Sequence, residues 1–471
     1  GNSYCPSFVG FDVRTNDYSS NFKIGGEYGG KITKNIWLIG FIDIVKSFKN
    51  GDVIVPANNQ FTSLYVNDQE YGAFGAKIIG EFTKNFGVNA GYDQVVYDNP
   101  NLMHVFSAGN SQGDCPGGFF TVSWTHKNSL IVAATNQNSS ITSFSSFGPL
   151  FDGRIAPTIS GVGSNVYSTE FNNGYGNKSG TSMSCPGVSG TIGQIYERYK
   201  QLYNNVNPDA ALVKALVCNT ADDVGNKGPD YKYGFGQINA LKAVEEMEAG
   251  NWLVDSVAQG VQNTLNITIP NNAVETRIML AWTDIPGNPS AAISLVNDLD
   301  LFLTNGTDTI YPWVLNMNSP NALATRGEDH INNIVQITAD TLAAGSWTIV
   351  VEGETVTNSS QTYALVYHTY TPEIVVTYPF GGEKLEASDP TTIRWTGANV
   401  TASQVIEFST NAGQTWQTIG TGNYPSVQRS AGWNTPYVLT NKALVRVSSG
   451  NLVGQSDSTF TISPIPVFTL D

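Results

Sequence analysis

The sequence predicts a mixed fold in four parts: a β-rich hairpin segment, a partial α/β domain with a parallel sheet and helices, and two β-sandwich domains. Three observations predict it. Residues 1–91 are glycine-rich and carry strand patterning. Residues 92–250 alternate short apolar strands with stretches of helical period, the texture of α/β folds. From residue 251 onward strands recur with turn residues between them, the spacing of β-sandwiches. Tyr370-Thr371-Pro372 divides that region into 251–371 and 372–471. A chain of 471 residues has room for about three domains of roughly 150 residues each.

In the first part, Gly30-Lys31-Ile32-Thr33-Lys34-Asn35-Ile36 is echoed fifty residues later by Gly80-Glu81-Phe82-Thr83-Lys84-Asn85-Phe86. Each copy reads as strand, Thr-Lys-Asn turn, strand. Ile36–Val45 and Ala73–Phe82 are long apolar or alternating runs with aromatic ends. The pattern resembles the hairpins of outer-membrane β-barrels, and a soluble β-meander explains it equally. At ~10 residues per strand, 91 residues supply about four to six strands, short of the eight of a closed barrel.

In the second part, Leu102–Ser107 and Leu130–Thr135 read as buried strands. Ser182–Gln201 reads as a helix, with Val188, Ile192, Ile195 and Tyr199 near helical spacing. Pro208-Asp209 opens a further helix over Asp209–Thr220, and Ala240–Glu248 is the last. The third part carries strands at Thr264–Ile269, Arg277–Trp282, Leu299–Thr304, Ile334–Thr338, Ser346–Val351 and Tyr363–Tyr367. The fourth carries them at Ile374–Tyr378, Thr392–Thr396, Val405–Ser409, Trp416–Ile419, Ala443–Ser448 and Ser458–Ile462.

Only 13% of residues are charged, Gly is abundant at 47, and the net charge is −15. The balance points to a β-rich secreted or surface protein. Residues 1–91 hold eight basic and eight acidic groups, so the acidic excess lies beyond them. An acidic surface disfavours nucleic acid and is compatible with calcium. Cys5, Cys115, Cys185 and Cys218 lack metal-ligand spacing. A disulfide among them has no pairing that the sequence dictates, and Cys185 and Cys218 fit small buried thiols. No run approaches the ~20 apolar residues of a membrane helix. No signal peptide opens the chain, and Gly1 in place of an initiator Met reads as a processed or fragmentary chain.

The chemistry centres on Ser182, in Ser179-Gly180-Thr181-Ser182-Met183-Ser184-Cys185-Pro186. A serine hydroxyl attacks well only when a base takes its proton. A helix N-terminus assists, because its free amides favour a developing oxyanion. Gly180-Thr181-Ser182 stands where the helical pattern begins, and Pro186 is tolerated in a first turn. Taken alone, the same residues also fit a Ser/Thr helix cap.

Ser-Gly-Thr-Ser-Met-Ser-x-Pro resembles the serine motif of the subtilisin-like proteases. Phe106-Ser107-Ala108-Gly109-Asn110 resembles the strand of that family ending in Ala-Gly-Asn. Thr142-Ser143-Phe144-Ser145-Ser146-Phe147-Gly148-Pro149 resembles its Phe-Ser-x-x-Gly-Pro turn. Ile155–Gly163 resembles its Lys-Pro-Asp-Ile-x-Ala-Pro-Gly segment with several departures. Gly228–Gly236 with Ile238-Asn239-Ala240 resembles its closing element. The resemblance runs from about Tyr92 to residue 248. It implies a subtilisin-like catalytic domain, C-terminal part, with Ser182 as nucleophile and Asn110 as an oxyanion donor. The implied activity is a secreted serine endopeptidase acting on protein or peptide through an acyl-enzyme, with no organic cofactor.

A weaker likeness continues into residues 251–371, where Leu295–Leu301 and His330–Ile334 resemble the β-domain that follows some bacterial subtilases. Asp284, Asp298 and Asp300 are the candidate ligands for a structural calcium, and turn carboxylates are the other reading. Residues 372–471, with Tyr378–Glu383 and Ile393-Arg394-Trp395, resemble immunoglobulin-like modules of secreted bacterial enzymes.

The family's Asp and His motifs are missing. The histidines are His104, His126, His330 and His368, and none has Gly-Thr context. His104 falls at a core position, and Asp12 lacks the Thr-Gly that follows the family's aspartate. The texture changes at Gly91-Tyr92. Three arrangements fit: a composite of a barrel-like fragment and part of a protease, one piece of a cleaved protease whose Asp and His sit on a second chain, or a pseudoenzyme. The chain alone is therefore expected to be nearly inactive. The competing function is a non-catalytic outer-membrane, cell-surface or secretion-associated protein, contacting the membrane through residues 1–91.

Overall fold

The computed structural model describes residues 20–33, 36–48, 71–80, 90–122, 124–288, 291–340, 342–398, 403–424 and 428–464. Asp12, both Thr-Lys-Asn turns at their Lys-Asn, and the second echo beyond Gly80 lie outside them. Strands β1 (Ser20–Thr33), β2 (Ile36–Phe48) and β3 (Tyr71–Gly80) pair antiparallel in the order β1-β2-β3. Thr33 pairs with Ile36, and Ile36 with Gly80. Helix α1 (Ala90–Asp98) runs straight through Gly91-Tyr92, where the sequence texture changes.

The α/β unit is built on a three-stranded parallel sheet. Its strands are β4 (Val105–Ser107), β5 (Leu130–Thr135) and β6 (Ile159–Val162), in the order β4-β5-β6. Every residue of β5 is buried, as expected of a central parallel strand. β4 keeps only the last three residues of the run expected at 102–107, because Pro100 and Asn101 hold the chain before it in turns. A hairpin of β7 (Val166–Glu170) and β8 (Gly174–Lys178) then leads into helix α2 (Thr181–Leu202).

Helix α2 lays Thr181, Ser184, Val188, Ile192 and Ile195 against the sheet. Glycines let it approach closely. A Cβ on Gly163 would stand 2.7 Å from the Gly180 carbonyl and 2.8 Å from Ala134 Cβ, and one on Gly161 2.9 Å from Val188. On the opposite face of α2, Gly187, Gly190 and Gly193 have nothing within 4 Å of a Cβ, and Pro186 and Ser189 are exposed.

Asp209 caps helix α3 (Ala210–Asn219) by accepting from the Ala211 amide. All ten residues of α3 are buried, because it is packed on two sides. Helix α4 (Ala240–Ala249), capped by Asn239, lies beside α2 and α3.

Next come β9 (Trp252–Val257), β10 (Gln262–Ile269), β11 (Glu275–Ala281), β12 (Asp298–Thr304), the short β13 (Thr309–Ile310), β14 (Trp313–Val314) and β15 (Thr325–Arg326), then β16 (Ile334–Asp340), β17 (Gly345–Thr355) and β18 (Gln361–Tyr370). They form two antiparallel four-stranded sheets, β10-β17-β12-β13 and β16-β11-β18-β9. Ile278 and Leu280 of β11 face the core between the sheets, with Trp282 beyond the strand. Met279 and Ala281 share a core with α3. The period-two alternation of one strand thus serves two cores.

The last region holds β19 (Glu373–Tyr378), β20 (Lys384–Glu386), β21 (Pro390–Ala398), β22 (Gln404–Ser409), β23 (Gln417–Gly422), β24 (Gln428–Asn434), β25 (Thr440–Ser449), β26 (Leu452–Gln455) and β27 (Phe460–Ser463). Two sheets, β19-β21-β24 and β20-β27-β25-β22-β23, enclose Trp395, Phe408 and Phe460.

A buried polar seam joins the α/β unit to the sheets of 252–370. Lys127 Nζ meets Asp284 Oδ2 at 2.5 Å, with both side chains fully buried. The same ammonium donates to the Ile285 and Ser294 carbonyls at 2.7 and 2.5 Å. Asn128 and Asp284 exchange two bonds: the Asn128 amide donates to the Asp284 carbonyl, and the Asp284 N–H donates back to Asn128 Oδ1. Lys214 of α3 donates to the Lys127 carbonyl, and burial pushes its ammonium down to about 8.

Candidate active site

Ser182 is the second residue of α2, exposed at the carboxyl end of the parallel sheet, where open α/β sheets place their ligands. A helix leaves its first amides without intrahelical partners. Here the local structure uses three of them. Thr181 N donates to Asn110 Oδ1 at 2.9 Å, and Met183 N and Ser184 N donate to the Gly180 carbonyl. Among the described residues the Ser182 amide is the one left without a partner, beside its own hydroxyl.

Asn110 follows β4 through Gly109, whose φ of 108° takes the left-handed region. Its side-chain oxygen accepts twice from Thr181, from N at 2.9 Å and from Oγ1 at 3.0 Å. Thr181 Oγ1 in turn accepts from the Gly109 amide at 3.3 Å. These bonds fix which way the amide points. Oδ1 is held by Thr181, so Nδ2 is the end presented outward as a donor, and it lies 3.5 Å from a Cβ position on Gly180. Two donors, Ser182 N and Asn110 Nδ2, are therefore left beside the Ser182 hydroxyl, and paired donors of this kind can stabilise a tetrahedral oxyanion. The structure brings together the two residues singled out in the sequence. It adds Thr181 as their positioning residue, which the motif contained without revealing its role.

The four histidines of this chain contact groups other than Ser182. His126 is buried, bonded through Nδ1 to Ser129 Oγ, and packed on Phe106 and Trp124. Burial, reinforced by Arg154, pulls it down to about 3, so it stays neutral. His104 stacks near Phe106, and burial lowers it too. His330 pairs with Asp298, and His368 with Glu246.

The expected cation ligands separate. Asp284 gives Oδ2 to Lys127 and to the Val296 amide, and Oδ1 to the Asn297 amide. A lysine ammonium stands where a metal was expected, so Asp284 leaves the set. Asp298 and Asp300 do come together, and His330 joins them, with one ligand atom of each within 4.8 Å of the others. Burial, then the charge of Asp298, pushes Asp300 up to about 7. Asp298 Oδ1 is buried with no hydrogen-bond partner among the described residues. An under-neutralised carboxylate pair with a spare oxygen fits a hard cation.

Cys115 is disulfide-bonded, whereas Cys185 and Cys218 are free thiols raised by burial. No helix among the described residues is long and apolar enough to cross a membrane.

Comparison with known proteins bears on the same stretch. Residues 67–236 match the model of the subtilase family, beginning upstream of the likeness seen from Tyr92. Thermitase of Thermoactinomyces vulgaris is 31% identical over 173 residues, covering 36% of this chain and 55% of thermitase. C5a peptidase of Streptococcus pyogenes serotype M1 is 37% identical over 197 residues, covering 39% of this chain and 16% of that protein. The chain thus spans about half the length of one relative and about a sixth of the other. The solved self-cleaved protease domain of PatA aligns at 20% identity and a TM-score of 0.28, over 34% of this chain and 55% of that one. Ser182 and Asn110 both lie inside the matched stretch, and residues 67–236 are a segment of the subtilase family of serine proteases.

Proposed function

We propose that this chain carries the nucleophile half of a secreted or cell-surface serine endopeptidase. The observation that supports it is the orientation of Asn110 by Thr181, which leaves Nδ2 and the Ser182 amide as paired donors beside the Ser182 hydroxyl. In the proposed reaction Ser182 Oγ attacks the scissile carbonyl, and its proton passes to a base. The oxyanion sits between the two donors. The C–N bond then breaks, the base protonates the leaving amine, and water releases the acyl group from Ser182 by the same path in reverse.

The base and its orienting carboxylate are assigned to a segment other than the four histidine positions of this chain, such as a second polypeptide. Loss of the base leaves only the contribution of the oxyanion donors, ~10³-fold over water. Two features support this incompleteness: among the described residues β4 is a sheet edge, and nothing lies within 4 Å of a Cβ placed on Gly187, Gly190 or Gly193 of α2. Three helical glycines cost roughly 1 kcal/mol each relative to alanine, an expense a close-packed partner element would explain. The disulfide at Cys115 supports an exported location. The structural calcium of this proposal rests on Asp298 and Asp300.

A fluorophosphonate probe tests the reading. The chain alone should label at Ser182 only over hours, and Ser182→Ala should abolish labelling. Labelling within minutes would refute the missing base, and labelling elsewhere in place of Ser182 would refute the nucleophile. The second reading, a non-catalytic surface protein, predicts no labelling at all.

A further inference from the structure

The hairpin that delivers the chain to Ser182 has two unlike faces. Opposite residues in an antiparallel pair share a face, and faces alternate along the strand. Val166 pairs with Lys178, Tyr167 with Asn177, Ser168 with Gly176, and Thr169 with Tyr175. One face therefore holds Tyr167, Thr169, Tyr175 and Asn177. The other holds Glu170 and Lys178, joined by an ion pair of 2.9 Å. Gly176 sits under that pair, where a Cβ would meet the Glu170 carboxylate at 2.5 Å.

The charged face suits water. The aromatic face does not, yet it is open. Tyr167 is 68% exposed, Tyr175 65%, and Phe171 at the tip 96%. The two tyrosine rings stack on each other at 5.8 Å between centroids. β7 and β8 form a sheet of their own, with both outer edges unpaired among the described residues. A lone two-stranded hairpin is marginally stable, and an open edge accepts an added strand.

We infer that the Tyr167, Phe171 and Tyr175 face of this hairpin is a docking surface for an extended segment of polypeptide substrate rich in aromatic, proline or aliphatic side chains. The inference rests on Ser182 being a peptidase nucleophile. Continuity with that site selects the occupant. Asn165 N donates to Ser179 Oγ at 2.8 Å and clamps the base of the hairpin, and Ser179-Gly180-Thr181 leads directly to Ser182. Tyr175 lies seven positions before Ser182 in the chain, so at ~3.5 Å per residue it stands no more than about 25 Å from the nucleophile. A substrate extended from the site reaches it within about seven residues. Stacked rings hold such a segment without demanding one sequence, since they offer broad apolar area with little rotamer freedom. An anionic lipid surface is a poor occupant for a chain of net charge −15.

The test measures binding, so that it stands apart from catalysis. Fluorescein-labelled, reduced and alkylated casein is titrated with the full chain carrying Ser182→Ala, and anisotropy is read. Adding Tyr167→Ser with Tyr175→Ser should weaken binding at least tenfold, and Phe171→Ser several-fold. Glu170→Ser with Lys178→Ser, on the opposite face, should change it less than twofold. All five positions are exposed, so the variants retain the fold. Equal affinity across the set overturns the inference. It is also overturned if the aromatic variants lose binding to phosphatidylcholine vesicles, or lose self-association on gel filtration, while casein binding is untouched. Absence of fluorophosphonate labelling at Ser182 would remove the nucleophile reading and leave this titration standing.

Discussion

Lys127→Met is the perturbation that most directly tests how the α/β unit is held. Its ammonium is fully buried and touches three oxygens: Asp284 Oδ2, the Ile285 carbonyl and the Ser294 carbonyl. Burial pulls Lys127 down and pushes Asp284 up, and in each case it outweighs the attraction of the partner. The pair therefore gains little over an apolar replacement, but removing one member strands the other. A stranded buried charge costs about 3–5 kcal/mol. Asp284 keeps the Val296 and Asn297 amides, which places the expected loss near ~3 kcal/mol. Equilibrium urea unfolding at pH 7, followed by tryptophan fluorescence, reads it, because Trp282 is buried beside the seam and bonds to the Asn297 carbonyl. Lys127→Met with Asp284→Leu should recover most of the loss. A single-variant loss under ~1 kcal/mol, or a double variant no better than the single, would refute the reasoning.

Three further expectations follow from named contacts. Gly163→Ala drives a methyl into the Gly180 carbonyl and Ala134; overpacking of this kind costs ~1–3 kcal/mol, measured by thermal melting, and should also slow any labelling of Ser182. Lys214 has its folded-state value lowered to about 8 by burial, so between pH 8 and 10.5 the unfolded chain binds more protons and stability rises with pH. The stability of the natural chain relative to Lys214→Met should accordingly climb across that window in urea titrations, and a flat difference would contradict it. Millimolar calcium should raise the melting midpoint, as any ligand of the folded state does, and Asp298→Asn with Asp300→Asn should abolish the rise; isothermal titration calorimetry gives an independent readout.

Much of the local structure was legible, and the reasons are specific. β5 at 130–135 and α3 after Asp209 carry strong apolar patterning and a cap, so their bounds are close to those observed. Ser182 and Asn110 stand in compact motifs. The role of Thr181 was hidden, because it depends on a hydrogen bond across 71 residues. The hairpin at 166–178 was missed, since two five-residue strands with neither face buried lack an apolar period. Asp284 was misassigned to a cation site. Its true partner is a lysine 157 residues away, and a carboxylate in sequence looks the same whether it meets a metal or an ammonium.

That separation of 157 residues also sets a clock. During synthesis at 5–20 residues per second, roughly 8–30 s pass between the emergence of Lys127 and that of Asp284. In the later part of this interval Asn110, Ser182, α2 and α3 are outside the ribosome, while Lys127 has no counterion and α3 has only one of its two packing surfaces. The nascent α/β unit must wait in a loosened state for strands made later. Its final geometry is thus a late event in the life of the chain, completed only as β11 and the Asp284 turn arrive.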